Sequence, residues 1–222
     1  MHIPDGLLPA QVCAGGYAIA GLTAWYSLRQ INKKPNPTAD IPKASLLTAA
    51  FFVASSIYIP IPPASVHLIL NGLLGVILGY FAFPAILIGL FFQALVIGHG
   101  GLTTLGVNAV MMGIPALLAF HVFQLRNLLG RSLSPVWATG IFAFLGGMVG
   151  LGLAALIFLT LVITTIPEGF DAATEQAAIT SLSIAHIPLM VIEGAFTAML
   201  GVFLQRVKPE LLEGVSRGVS KS

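Results

Sequence analysis

Polar residues in this chain come as short clusters between long apolar runs, and the runs are too long for the core helices of a small soluble domain. A helix needs about 20 apolar residues to cross the hydrocarbon core of a bilayer. On that scale the pattern predicts an all-α polytopic membrane protein of about seven membrane helices. The first covers roughly Pro9 to Gln30, and a polar, proline-broken loop from Asn32 to Lys43 follows. The second covers Ala44 to Tyr58 and stops at Ile59-Pro60-Ile61-Pro62-Pro63, where proline lacks the amide donor a helix requires. The third runs from Ser65 to Phe83, and the fourth starts at Pro84 and fades at Gly98-His99-Gly100-Gly101. The fifth spans Leu105 to Leu125, the sixth Pro135 to Ile166 and the seventh Ile184 to Gln205. Glu168, Asp171 and Glu175 mark an acidic loop between the last two.

Basic residues orient this arrangement, because short cytoplasmic loops collect Lys and Arg. Arg29, Lys33, Lys34 and Lys43 lie between the first two helices, Arg126 and Arg131 between the fifth and sixth, and Arg206 and Lys208 after the seventh. With seven helices all three groups fall on one side, the cytoplasm, and an even count breaks the agreement. The N-terminus is then expected outside and the C-terminus inside. The whole chain, 1–222, reads as one integral membrane domain with an N-terminal segment 1–8 and a polar tail 207–222.

Composition sharpens the class. Charged residues are 8% against 57% hydrophobic, where soluble domains carry about 25% charged residues. Lipid must therefore cover most of the surface. Ten basic and eight acidic residues nearly cancel, and without a basic patch nucleic acid is excluded as a partner. The single cysteine, Cys13, allows no internal disulfide and is read as packing. Small residues recur at four-residue spacing at Ala10, Ala14 and Ala18, at Ala20 and Ala24, at Gly75 and Gly79, and at Gly146 and Gly150. Such faces suit close helix approach within the bundle or against another membrane subunit.

The candidate chemistry sits at the start. No basic stretch precedes Arg29, so no secretory signal is evident and the mature chain is expected to begin at Met1 with a free amine. Histidine is too large a second residue for removal of the initiator. The Met1 amine, the His2 amide nitrogen and the His2 ring can then close a five- and a six-membered chelate ring, offering three nitrogens in a plane. A fourth completes a square, the geometry characteristic of Ni(II) and Cu(II), and loss of the amide proton makes binding weaken in acid. The topology puts His67 on the same outer face, at the start of the third helix. His99 falls in the glycine loop and His186 near the outer start of the seventh helix, and both are expected to stay outside the ligand set. His121 falls toward the cytoplasm. Ionisable groups in membrane segments are functional candidates by default.

Met1-His2-Ile3-Pro4-Asp5-Gly6, with the segments Ser65–Gly75 and Gly100–Asn108, resembles the CbiM/NikM family, the substrate-binding membrane subunits of energy-coupling-factor (ECF) cobalt and nickel transporters. The resemblance spans nearly the whole chain. It implies metal ligands at Met1, His2 and His67, with Ni(II) or Co(II) as the transported substrate. It also implies a prokaryotic plasma membrane, a transmembrane coupling subunit, two cytoplasmic ATPases and a small accessory membrane protein. The chain itself has no G-x-x-x-x-G-K-[ST] phosphate loop with which to drive transport. Ser65, Asn71 or Asn108 is expected to orient the His67 ring, since metal-bound histidines usually donate their other N–H. Glu193, two turns after His186, is read as a buried network or packing residue.

Two other classes fit less well. An intramembrane enzyme lacks H-E-x-x-H and G-x-S-x-G, and nothing orients Ser181, Ser183 and His186 as a dyad. A passive metal channel calls for a polar or acidic file through the bilayer, and none is visible. Nickel against cobalt stays open.

Overall fold

A computed structural model describes residues 2–57, 59–61, 64–165 and 172–213, with the backbone alone for 59–61, 64–66, 172–178, 182–183 and 213. Helix α1, Ala10–Ile31, descends from the end of the bundle that holds His2. Helix α2, Ile41–Ala54, returns, closed by Ser55, whose hydroxyl donates to Phe51 O at 2.6 Å. Beyond it a short antiparallel hairpin pairs β1, Ile59–Ile61, with β2, Ala64–Val66, in the register Ile59 to Val66 and Ile61 to Ala64.

The third helix therefore starts later than the hydropathy predicts. Helix α3 is only Asn71–Leu78. The cause lies far along the chain at Glu193, 1% exposed. Its carboxylate accepts the N–H of Ile69 and, at 3.1 Å, that of Leu70. These donors would otherwise be orphaned at a helix start, and acceptor oxygens suit the positive end of the helix dipole. Leu70 pays in backbone strain, with φ 56°, a region bulky residues rarely visit.

The apolar stretch 71–97 folds in two. Gly79 breaks it at φ 59°, ψ −126°, a conformation that glycine adopts without a Cβ clash. A 3₁₀ turn, Gly79–Phe81, leads into α4, Ala82–Phe92, which continues as a π-turn over Gln93–Ile97. The rings of His67 and His99, which flank this unit, have centroids 5.5 Å apart, so the chain returns to the face it left. The predicted third and fourth helices are thus a short down-and-up pair.

Helix α5, Leu105–Gln124, ends in the short α6, Arg126–Leu129. Helix α7, Pro135–Thr164, is started by Ser134, whose hydroxyl accepts from Trp137 N at 3.5 Å. Helix α8, Ala172–Val207, starts well before the predicted Ile184 and carries Pro188 inside it. Neighbouring helices can make good the lost backbone bond. A last turn, α9, Glu210–Glu213, closes the C-terminal end. The stretches Leu105–Leu129, Pro135–Thr164 and Ile179–Val207 are each long and apolar enough to span a membrane. The chain is a polytopic all-α membrane protein.

The bundle core is tight where α3 meets α7. A Cβ on Gly150 would overlap the backbone of Gly72. Outward, Leu22, Leu46, Leu95, Val96, Trp137 and Met199 are exposed apolar side chains, as a lipid-facing surface requires. Arg126 Nη2 donates to Leu212 O at 3.4 Å and Lys43 Nζ to Leu211 O at 3.2 Å. Lys34 and Lys43 pair with Asp40 at 2.8 and 3.0 Å. This basic end lies opposite the end that holds His2.

Candidate metal centre

The N-terminal segment turns back into the bundle and is fastened there residue by residue. Ile3 is fully buried, a burial that contributes about 1.5–3 kcal/mol. The Asn108 carboxamide grips both faces of its peptide. Ile3 N–H donates to Asn108 Oδ1 at 3.0 Å, and Asn108 Nδ2 donates to Ile3 O at 3.0 Å. Thr104 Oγ1 donates to the same carbonyl at 2.7 Å. Two residues on, the Asp5 carboxylate accepts Leu102 N–H at 3.2 Å, Thr103 N–H at 2.9 Å and the Thr103 hydroxyl at 2.5 Å. The Thr103 hydroxyl, first among these bonds, holds the Asp5 carboxyl below its usual range. Gly101 must be glycine-sized there, because a Cβ would overlap Asp5.

This anchoring brings His2 against two other imidazoles. The His2 and His67 rings have centroids 5.2 Å apart and lie 29° from parallel. The His2 and His99 rings are 4.0 Å apart at 72°. A ring nitrogen from each of the three lies within 4.8 Å of the other two. His99 Nε2 stands 2.6 Å from His2 Nδ1. His67 is 3% exposed, and its Nδ1 lies 3.3 Å from Leu68 O. A hydrogen on Nδ1 bonded to that carbonyl leaves Nε2 with its lone pair.

Burial holds the His2 ring well below its ordinary pKa and pushes His67 down to about 3 and His99 to about 4. Desolvation penalises the imidazolium. All three rings are therefore neutral near pH 7, the state in which a ring nitrogen can bind a metal.

The fold places the predicted residues unequally. His2 and His67 come together, and Met1 lies outside the described residues. His99, expected to stay apart, sits in the cluster. Gly98 and Gly100, at φ 67° and 84°, turn the loop so that His99 faces inward. Its flanking glycines were the available signal, since they permit just such a turn. The expected partners of His67 act elsewhere. Asn71 Nδ2 donates to Met112 O at 3.2 Å and to Gly150 O at 2.9 Å, so both its hydrogens join helices. Asn108 is spent on Ile3. Ser65 belongs to β2, and its side chain is outside those described. Gly75 and Gly146 are internal packing positions, against Ala116 and Val76. His121 packs on Phe120 and Tyr80, with centroids 4.9 and 6.0 Å away, toward the basic end. The polar tail from residue 214 and the loop positions Glu168 and Asp171 lie outside the described residues.

Residues 2–211 match the family model for the cobalt uptake substrate-specific transmembrane region, CbiM. The chain belongs to the CbiM family. Among curated CbiM relatives, a putative cobalt transport protein of Methanococcus voltae is 34% identical over 97% of this chain and 96% of its own length. A putative metal transport protein of Haemophilus influenzae is 31% identical over 96% of this chain and 97% of its own. A solved structure described as a transition metal transporter superposes with a TM-score of 0.76 at 25% identity, covering 98% of this chain and 99% of that one. The protein is a CbiM-type transmembrane component of metal uptake, in a family of transporters and not of enzymes. The CbiM match takes in the anchored segment, His67 and the glycine loop together.

Proposed function

We propose that this protein captures Ni(II) or Co(II) at the outer face of a prokaryotic plasma membrane, as the substrate-binding subunit of an ECF-type importer. The observation that carries the reading is the convergence of His2 and His67, ring centroids 5.2 Å apart, at an N-terminal segment held by Ile3 and Asp5. The Met1 amine, the His2 amide nitrogen and His2 Nδ1 make a planar three-nitrogen chelate, and His67 Nε2 is the fourth donor. Planar nitrogen sets suit Ni(II), and Co(II) accepts the same donors. The basic end faces the cytoplasm, where two ATPase subunits act through a coupling subunit, with a small accessory membrane protein alongside. Ala14 and Ala18 lie exposed on α1, and this small-residue face is the proposed docking surface for a membrane partner.

The test is metal titration of the full chain in detergent. Extra residues placed before Met1 abolish high-affinity binding of both ions while helicity is unchanged, and His67→Ala weakens it beyond the 10–100-fold typical of supporting residues. Wild-type affinity in both variants overturns the reading. Uptake by vesicles holding this protein without ATPases would reveal a channel instead.

A further inference from the structure

Far from the imidazoles, α7 and α8 run antiparallel with small residues along their seam. Thr139 Oγ1 donates to Gln205 Oε1 at 3.1 Å. A Cβ on Gly140 would meet Val202 at 3.2 Å, and one on Gly194 would meet Met148 at 2.9 Å. The pairing thus runs from the basic end, at residues 139 and 205, toward the bilayer centre at 148 and 194. On the outer surface the side chains do not close over this seam. A groove of about 490 Å³ remains, with Trp137, Gly140, Ile141 and Leu145 on one wall and Ala198 and Arg206 on the other. Gly140 and Ala198 supply no bulk, while Ile141 and Leu145 stand out beside them, 42% and 41% exposed.

The length of the groove fits one leaflet. From Trp137 to Leu145 a helix rises about 12 Å, and half of the hydrocarbon core is about 15 Å. The slot therefore begins near the interface and reaches most of the way to the midplane. An apolar slot that faces lipid suits an acyl chain.

Charge selects among the lipids. Arg206 is the single charged residue of the nine described residues that line the groove. It stands at the mouth, in the last turn of α8. Among the described residues the ion pairs are those of Lys34 and Lys43 with Asp40, and Arg206 has none. Guanidinium binds phosphate through two parallel N–H bonds, and basic pockets between membrane helices on the cytoplasmic side bind anionic headgroups. A zwitterionic lipid would bring its own cation beside Arg206, and an anionic one does not. Trp137, 68% exposed at the same mouth, presents an indole of the kind that gathers at the headgroup level.

We infer that the α7–α8 groove is a site for one anionic phospholipid of the leaflet at the basic end, its acyl chain along Gly140 and Ala198 and its phosphate on Arg206. The chain has two tryptophans, Trp25 and Trp137. In Trp25→Phe all tryptophan fluorescence comes from Trp137, and a brominated acyl chain quenches an indole that it touches. The full chain in this form is placed in phosphatidylcholine vesicles holding brominated phosphatidylcholine or brominated phosphatidylglycerol at equal mole fraction. Attraction of an anionic lipid to one surface arginine amounts to about fivefold. The site should select the glycerol lipid by more than about tenfold, beyond that general attraction. Arg206→Gln should remove the selection, and Arg206→Lys, which keeps the charge without the fork, should keep only about fivefold. Ala198→Leu and Val202→Phe leave Arg206 in place and fill the slot. Each should lower the selection to about fivefold or less, with helicity checked by circular dichroism. Equal quenching by the two lipids in Trp25→Phe overturns the site. Full selection in both filled variants, or in Arg206→Gln, overturns it as well, because the lipid is then held outside the groove.

Discussion

At the residue scale the site depends on side chains that never touch a metal. Asn108 supplies both the donor and the acceptor that the buried Ile3 peptide needs. Asn108→Ala leaves the Ile3 N–H buried and unpaired, a cost of about 1–3 kcal/mol. The segment that carries His2 should then detach, and metal affinity should fall by about 5–150-fold, measured by titration with the fold checked by circular dichroism. Asp5 adds a pH dependence whose sign follows from its lowered pKa. Its hydrogen bonds to Leu102 and Thr103 are in full force above the ordinary aspartate value of about 3.9. They are lost as pH falls through the lower folded value. Protection of the Thr103 amide from hydrogen exchange should therefore persist at pH 5 and fade in stronger acid. In Asp5→Ala it should be low at both.

At the element scale the short helix α3 is the part under most constraint. Glu193 holds its start from α8, and Gly72 and Gly150 let it press against α7. Gly150→Leu has to push α3 aside, because a side chain there meets the Gly72 backbone rather than a flexible side chain. Overpacking of this kind costs about 1–3 kcal/mol. His67 lies four residues before α3, so metal affinity should drop along with thermal stability in detergent. Gly15→Leu, with open space around it, should alter neither. Equal behaviour of the two variants would count against the α3–α7 contact as the support for His67.

At the scale of the whole molecule, helix parity decides which end meets the outside. Lys34, Lys43 and Arg126 gather with α9 at one end, and the imidazoles sit at the other. After Cys13 is replaced by alanine, a cysteine at the exposed Asn36 should react only with membrane-permeant thiol reagents. One at Leu102, 45% exposed beside the site, should react with impermeant ones. The reverse pattern would put the imidazoles on the cytoplasmic face.

Much of this is dictated by the sequence alone. Apolar run length sets the membrane class, because nothing but lipid can cover so apolar a surface. Basic clusters give the expected orientation. The chelating reach of the His2 amide and ring was legible because bonds join them, and bonded geometry needs no fold. The rest depended on contacts between residues far apart in the chain. The third helix begins at Asn71 because of Glu193, 123 positions away from Leu70, and no local pattern near Ser65 announces that. Asn108 looked like a partner for a ring and is a clamp on a peptide, since the segment it grips starts 105 positions earlier. His99 looked like a loop residue because glycine-rich sequence permits many conformations. Only the packed bundle, with Gly98 and Gly100 in left-handed geometry, selects the one that turns its ring onto His2.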